Sequence, residues 1–543
     1  MSIKLTEELL QLEAHVGQNK GQVITEGALV LPANKPGIAE IVKVIAKPRA
    51  EMIQVEEDCV VAEGLLQVTL IYLKSPDEDG LSGYESVTWE RVLPFSHLFE
   101  IPGVQPGMKA EVEFELQEPT LDISGDGRSV QAEWLVDGFA KVTNRYSAWV
   151  VTNALSTASR RLDVDVETVK VQEVLGWAEG RFEVGETVAV ANRGPAIDQV
   201  FYAEAQPVVR SARCREEEVA VTGSVTLEIL YRPEGEETVR LLKWEDALRF
   251  EQVLDLAGAK PGSQPIVDVR VTDLYTRPVV GGTGLEVQVH LALEVKVVHS
   301  RSINLVESIA ADREGPAIAC RREEIRLEQH IGRANRYVDS KFTIEVPESK
   351  PPVNRIISFQ GRAKVADVTM EGSRITVTGF VDVEMLYEGH VDLDAPPVYF
   401  AQWGNAAAFE TLLEIPGAES GMDVQVDVEV AELIPDLINR ETCEVHGQVN
   451  IEAQVVEVIE REVVAEAVEV KTTKGRPPSY VCVRVQPEDT LWKIAARYGS
   501  TVELLLNYNP GLGDVEQEGF LPIGMRLFIP RQTQPQDSLE EAN

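Results

Sequence analysis

The sequence predicts a mainly β chain: three tandem homologous antiparallel β-sandwich or barrel-like domains, then a small α+β domain of order βααβ. Three observations predict it. Apolar and charged residues alternate at period two along most of the chain. One set of glycine, proline, tyrosine and tryptophan positions recurs three times at about 157 residues, against roughly 20–50 for solenoid units. After Val470 the apolar spacing turns helical.

The alternation is clearest in Gln67–Tyr72, Val225–Tyr231 and Val381–Tyr387, and again in Ala110–Leu116, Leu285–Leu291 and Val424–Val430. Charged residues between apolar ones mean half-buried strands, one face on a core and one in water. Turn signals such as Ser124-Gly125-Asp126-Gly127 and Gly281-Gly282-Thr283-Gly284 separate them and suit hairpins. Outward carboxylates also discourage edge-to-edge pairing.

The repeat is read from single residues. Val16-Gly17, Leu175-Gly176 and Ile331-Gly332 open it, and Pro36, Pro195 and Pro351 follow at equal distances. Gly64, Gly223 and Gly379 come next, then Tyr72, Tyr231 and Tyr387, still without a gap. The register then slips before Trp89, Trp244 and Trp403, each followed six residues later by Phe95, Phe250 and Phe409. Length variation with turn residues, as in Pro76-Asp77-Glu78-Asp79-Gly80, marks a surface loop. Each copy is large enough to bury its own core. The recurring glycines are expected to serve the backbone, and the Tyr, Trp and Phe to anchor those cores rather than form a sugar platform.

The 543 residues divide accordingly: repeats at 1–156, 157–314 and 315–470, a linker at 471–479, a module at 480–531 and a disordered acidic tail at 532–543. The net charge of −38 argues against nucleic acid and against simple docking on an anionic membrane. No segment approaches the roughly 20 apolar residues of a spanning helix. The N-terminus Met1–Glu8 carries acidic residues where a signal peptide has its apolar run, so a cytoplasmic protein is expected. Five scattered cysteines, Cys59, Cys214, Cys320, Cys443 and Cys482, fit reduced, mostly packed thiols rather than a disulfide framework.

In the module, Tyr480–Val485 reads as a strand. Asp489 or Thr490 can cap a helix over Leu491–Tyr498 that stops at Gly499, and Thr501 a second over Val502–Tyr508. Leu491, Ile494, Ala495 and Tyr498 form one apolar face. Leu521–Pro530 is a turn and a closing strand.

Asp489-Thr490-Leu491-Trp492-Lys493-Ile494-Ala495, Asn507-Tyr508-Asn509-Pro510 and Pro522–Pro530 resemble the signatures of the LysM module. The resemblance implies a shallow groove for N-acetylglucosamine polymers, built here from Asp489, Thr490, Leu491, Asn509 and Pro510, with Leu512 nearby. Trp492 sits at the signature's core position and is expected to pack. The family's glycine before the Asp is Glu488 here, which adds bulk and charge at the groove mouth.

Val30-Leu31-Pro32-Ala33-Asn34-Lys35-Pro36-Gly37-Ile38, the later glycine–tyrosine pairs and the terminal module together resemble the SPOCS-domain family of endospore formers. That resemblance implies a spore-coat morphogenetic scaffold on the mother-cell side of the forespore surface. It also implies that the LysM module binds a coat ATPase of the SpoIVA type, alongside other coat proteins, rather than glycan.

Catalytic motifs are not found. Gly281–Gly284 lacks the lysine of a phosphate loop and sits between strands. Cys443 and His446 fall on opposite faces of a strand, so no metal site is expected, and no cofactor. Acidic loops such as Asp77-Glu78-Asp79 read as solvated charge. The expected function is a non-enzymatic scaffold or adaptor in spore-coat assembly. Its acidic repeats call for basic patches on partners. The alternative is a peptidoglycan or N-acetylglucosamine binding protein of the cell wall. A wall hydrolase lacks a nucleophile–base or metal constellation.

Overall fold

The computed structural model describes residues 3–76, 83–156, 162–190, 194–236, 238–311, 318–390, 397–470, 480–512 and 521–530. The loop at 77–79, the linker at 471–479 and the tail at 532–543 lie outside the described residues.

The chain is mainly β, in three repeated antiparallel domains and a small α+β module. The first repeat contains β1 (Ile3–Val30), β2 (Ile38–Glu56), β3 (Cys59–Lys74), β4 (Tyr84–Glu100), β5 (Lys109–Leu116), β6 (Thr120–Ile123) and β7 (Ser129–Ser156). One sheet has the order β1-β7-β5, with β6 also on β7; the other is β2-β3-β4. The second repeat has β8 (Leu162–Ala189), β9 (Ile197–Arg215), β10 (Glu218–Pro233), β11 (Arg240–Asp255), β12 (Gln264–Pro278) and β13 (Gly284–Ala311). Its sheets are β8-β13-β12 and β9-β10-β11. The third has β14 (Ile318–Glu345), β15 (Val353–Glu371), β16 (Arg374–Gly389), β17 (Val398–Glu414), β18 (Asp423–Leu437) and β19 (Thr442–Glu469). Its sheets are β14-β19-β18 and β15-β16-β17. Pro119, which has no backbone N–H to donate, stands where β5 and β6 separate; the matching strands β12 and β18 run on.

The recurring residues now have causes. Val16, Leu175 and Ile331 are the extra residues of β-bulges, where the register jumps from His15↔Thr143 to Gly17↔Val142 and likewise in the other copies. The glycine after each bulge clears space. A Cβ would come within 2.6 Å of Ile101 at Gly17, 3.0 Å of Leu256 at Gly176 and 2.9 Å of Ile415 at Gly332. Gly64, Gly223 and Gly379 pair across the ladder with Phe95, Phe250 and Phe409, whose rings lie over the bare backbone.

Tyr72 and Tyr387 are fully buried and donate to the carbonyls of the recurring prolines, Pro36 at 3.1 Å and Pro351 at 3.0 Å. Burial pushes both phenols up to about 12, so each remains a donor through the physiological range. Trp89 and Trp403 are half-buried, and their indole N–H groups donate to Val30 and Glu345, at the ends of β1 and β14. Both ties bind one sheet of the sandwich to the other. The turn at Gly281-Gly282 hydrogen-bonds the start of β9, through Ile197 N–H to the Gly282 carbonyl at 2.9 Å.

Beyond their own cores, the repeats share three more clusters. Leu10 and Leu12, Val169 and Val171, and Ile325 and Leu327 are matched positions of the three copies, and they meet in one cluster with Val150, Leu305 and Val463. A neighbouring cluster joins Val151, Val306 and Val464. A separate junction brings together Ile71, Leu230 and Leu386 from the other sheets. The three repeats therefore close around a pseudo-threefold axis.

Ion pairs stitch the seams. Lys109 meets Glu294 and Lys296 meets Glu13 between repeats one and two, Arg461 meets Glu167 between three and two, and Lys43 meets Glu384 between one and three. The 28-residue strands make the closure feasible. At ~3.3 Å per residue each is long enough to serve its own sandwich and then reach the axis.

All five cysteines are free; Cys443 is buried and Cys482 exposed. Among the described residues, no helix is long and apolar enough to cross a membrane.

Candidate binding site in the C-terminal module

The terminal module pairs β20 (Tyr480–Arg484) with β21 (Arg526–Pro530), and between them run α1 (Leu491–Tyr498) and α2 (Val502–Tyr508). Thr490 caps α1 by accepting from the Lys493 N–H, and Gly499, at φ +66°, ends it in the left-handed conformation. Thr501 caps α2 in the same way. Leu491, Ile494 and Ala495 form the buried face of α1, as the spacing predicts, with Leu505, Leu512, Leu527 and Ile529 opposite. Trp492 lies outside this cluster and is half-buried.

Of the residues nominated from sequence, most are engaged inside the protein. Asp489 accepts from the Gln486 N–H at 2.8 Å and pairs with Arg497 at 2.9 Å, with its side chain 5% exposed. The Asn509 amide donates to the Leu505 and Phe528 carbonyls and its oxygen accepts from the Phe528 N–H, clamping α2 to β21. Leu491 is core. Pro510 is exposed, in the short 3-10 turn Pro510–Leu512.

Thr490 does a second job. Its hydroxyl donates to the Glu466 carboxylate at 3.0 Å, and Glu466 lies on β19 of the third repeat. The start of α1 is thus seated on the repeats.

A cavity of about 260 Å³ opens beside Asp489, lined by Val483, Arg484, Gln486, Ile494, Arg497 and Tyr498. It joins Asp489 to β20 and α1, and none of its lining comes from the Asn509–Pro510 turn. A larger cleft, about 360 Å³, lies between repeats two and three beside Lys170, His330, Pro416 and Glu457. Among the described residues no cluster of three His, Cys, Asp or Glu side chains could hold a metal. His446 contacts Glu444, on its own face of β19, while Cys443 turns into the core.

Glu488 stands where the module's signature has glycine, and its φ is +65°, the region that favours glycine. A Cβ there costs about 1–2 kcal/mol, and glycine gives back part of that by loosening the unfolded chain. Glu488→Gly is therefore expected to stabilise the module by about 0.5–1 kcal/mol. Slower amide exchange at Ile494 and Leu505 measures it; unchanged or faster exchange would refute the assignment.

Residues 37–124, 196–279 and 352–438 match the family described as SipL, SPOCS domain, and residues 483–530 match the LysM domain. Each SPOCS match runs from the first strand of the β2-β3-β4 type of sheet through the strand equivalent to β5 and β6. The 28-residue strands that build the shared axis lie outside the matched segments. No curated protein and no solved structure matches the chain.

Proposed function

This chain is a SPOCS-domain protein with a C-terminal LysM domain, and on that premise we propose that it is a non-enzymatic scaffold of spore-coat assembly. The two domain types fit a sporulation or cell-wall associated protein. In the proposed role the protein works in the mother-cell cytoplasm at the forespore surface. Its LysM domain contacts the coat morphogenetic ATPase, and the repeats contact other coat proteins.

One observation carries the reading. Three domains are locked around one axis and the LysM domain is seated on the third, so several surfaces are held at fixed separations. Fixed spacing makes each further contact with a shell intramolecular, and weak contacts then add up to firm attachment. Free beads on linkers would lose part of that gain to linker entropy.

Within the LysM domain, Asp489, Thr490, Leu491, Asn509 and Pro510 remain the proposed partner-binding region. Since Asp489, Thr490 and Asn509 already spend their polar atoms internally, the region would act through its backbone and through Pro510. This favours a protein partner over a sugar polymer, whose hydroxyls need free polar groups. The peptidoglycan reading keeps the LysM match itself as its support.

A pull-down with the purified coat ATPase tests the proposal. Removing residues 480–530 is expected to weaken capture at least tenfold; equal capture would sink the LysM role. Sedimentation of the full chain with purified peptidoglycan tests the rival, and tight cosedimentation would establish it.

A further inference from the structure

The LysM domain has a second face that neither its groove nor its seat on the third repeat uses. In the β20–β21 ladder Val483, Leu527 and Ile529 turn toward the module's core. The alternate residues Tyr480, Cys482, Arg484, Arg526 and Phe528 turn outward and are exposed. Tyr480 and Phe528 are 68% and 52% exposed, a large apolar area for so small a domain.

Arg484 and Arg526 are direct cross-strand partners. Like charges placed so are destabilising, and among the described residues neither guanidinium has an ion-pair partner. Two unpaired arginines beside two exposed rings, in a chain of net charge −38, form a site for carboxylates.

The repeats carry a matching surface. Asp427, Glu429 and Glu432 are exposed along β18, an edge strand, and none has an ion-pair partner among the described residues. The corresponding strands hold fewer free carboxylates: on β5, Glu111 meets Lys109 and Glu115 meets Arg362, which leaves Glu113 flanked by paired neighbours, and on β12, Asp268 meets Arg270. Carboxylates two residues apart on a strand are roughly 6–7 Å apart, and cross-strand arginines roughly 5 Å. The two spacings match well enough for two charge-assisted pairs.

We propose that the outer β20–β21 face of the LysM domain docks on the acidic β18 row of the third repeat in a second copy of this chain. This goes beyond the scaffold reading and does not need the coat ATPase. The contact is heterologous, so one copy's LysM domain leaves its own β18 row free and chains of copies can grow. A face of five outward residues on short strands falls below the area of a stable dimer, so association is weak and concentration-dependent. Coat assembly at a surface would supply the concentration.

Sedimentation at near-physiological salt tests it. The wild-type mass is expected to climb above the 59.9 kDa chain mass as concentration rises. Arg484→Glu with Arg526→Glu, and separately Asp427→Lys with Glu429→Lys, should each hold the protein at monomer mass. Mixing the two variants should restore association, because the unaltered face of each fits the unaltered face of the other and the two reversed faces are again opposite in charge. Arg484→Lys with Arg526→Lys should still associate, which separates lost charge from lost fold. Wild type that stays monomeric at every concentration would overturn the proposal, as would charge-reversed variants that associate like wild type. Binding of a foreign acidic protein by a strictly monomeric wild type would overturn the second-copy assignment.

Discussion

Leu10→Ala is expected to destabilise all three repeats together, by about 3–5 kcal/mol. Leu10 is fully buried, yet its neighbours include Val169 and Val171 from the second repeat and Ile325 and Leu327 from the third. Truncation leaves a cavity whose walls are three separate strand pairs. Those walls are braced by Tyr146, which donates to the Arg326 carbonyl, and by ion pairs such as Arg301–Glu8. Collapse into the void is therefore limited, and the cost falls in the upper part of the range. Calorimetry should show the whole β-repeat transition moving to lower temperature as one unit. A shift confined to one of several separate transitions would mean that the repeats are independent beads. Ile24→Ala, on the same strand but 60% exposed, is the control, and its effect should stay within about 0.5 kcal/mol.

That shared core marks where sequence reading stops. Alternation in β1 says that Leu10 and Leu12 point inward, and the recurrence of Val169 and Val171 says that the position matters in every copy. Neither signal says whose core the residue enters. A period of two fixes a face, while the partner of that face is set by strand pairing across the whole chain. Strand length held an unused clue: 28 residues exceed what a sandwich of this size needs.

The recurring glycines were legible as backbone devices and the Tyr and Phe as core anchors, while Trp89 and Trp403, read the same way, are only half-buried. Their pairings, such as the Tyr387 hydroxyl on the Pro351 carbonyl, needed the register. In the LysM domain apolar spacing and capping residues located both helices, with the first cap open between Asp489 and Thr490, and the structure gives it to Thr490. The spacing could not show that Thr490 would also bind Glu466, because that contact joins two domains across a linker. The departure at Glu488 was visible as a missing glycine, and only φ showed that the backbone keeps glycine's conformation there.

Gly379→Ala should cost about 3 kcal/mol, and comparison of the three copies makes the cause testable. A Cβ at Gly379 would run into both the Lys364 carbonyl on β15 and the tip of the Phe409 ring on β17. Phe409 is 4% exposed and cannot swing away, and the carbonyl is fixed in a ladder. Backbone must therefore move. At Gly223 the equivalent carbonyl, Val208, stands at 2.5 Å, and at Gly64 the Arg49 carbonyl stands at 2.6 Å; at Gly379 it is closer still. The cost of alanine should then fall in the order Gly379, Gly223, Gly64. Adding Phe409→Leu to Gly379→Ala removes the ring clash and leaves the carbonyl clash, so rescue should be partial. Complete rescue would assign the glycine to the ring alone. Gly404→Ala provides the baseline, since a Cβ there meets nothing within 4 Å. Denaturant melts of the five variants would settle the order, and equal costs at all three glycines would refute the carbonyl clash as its source.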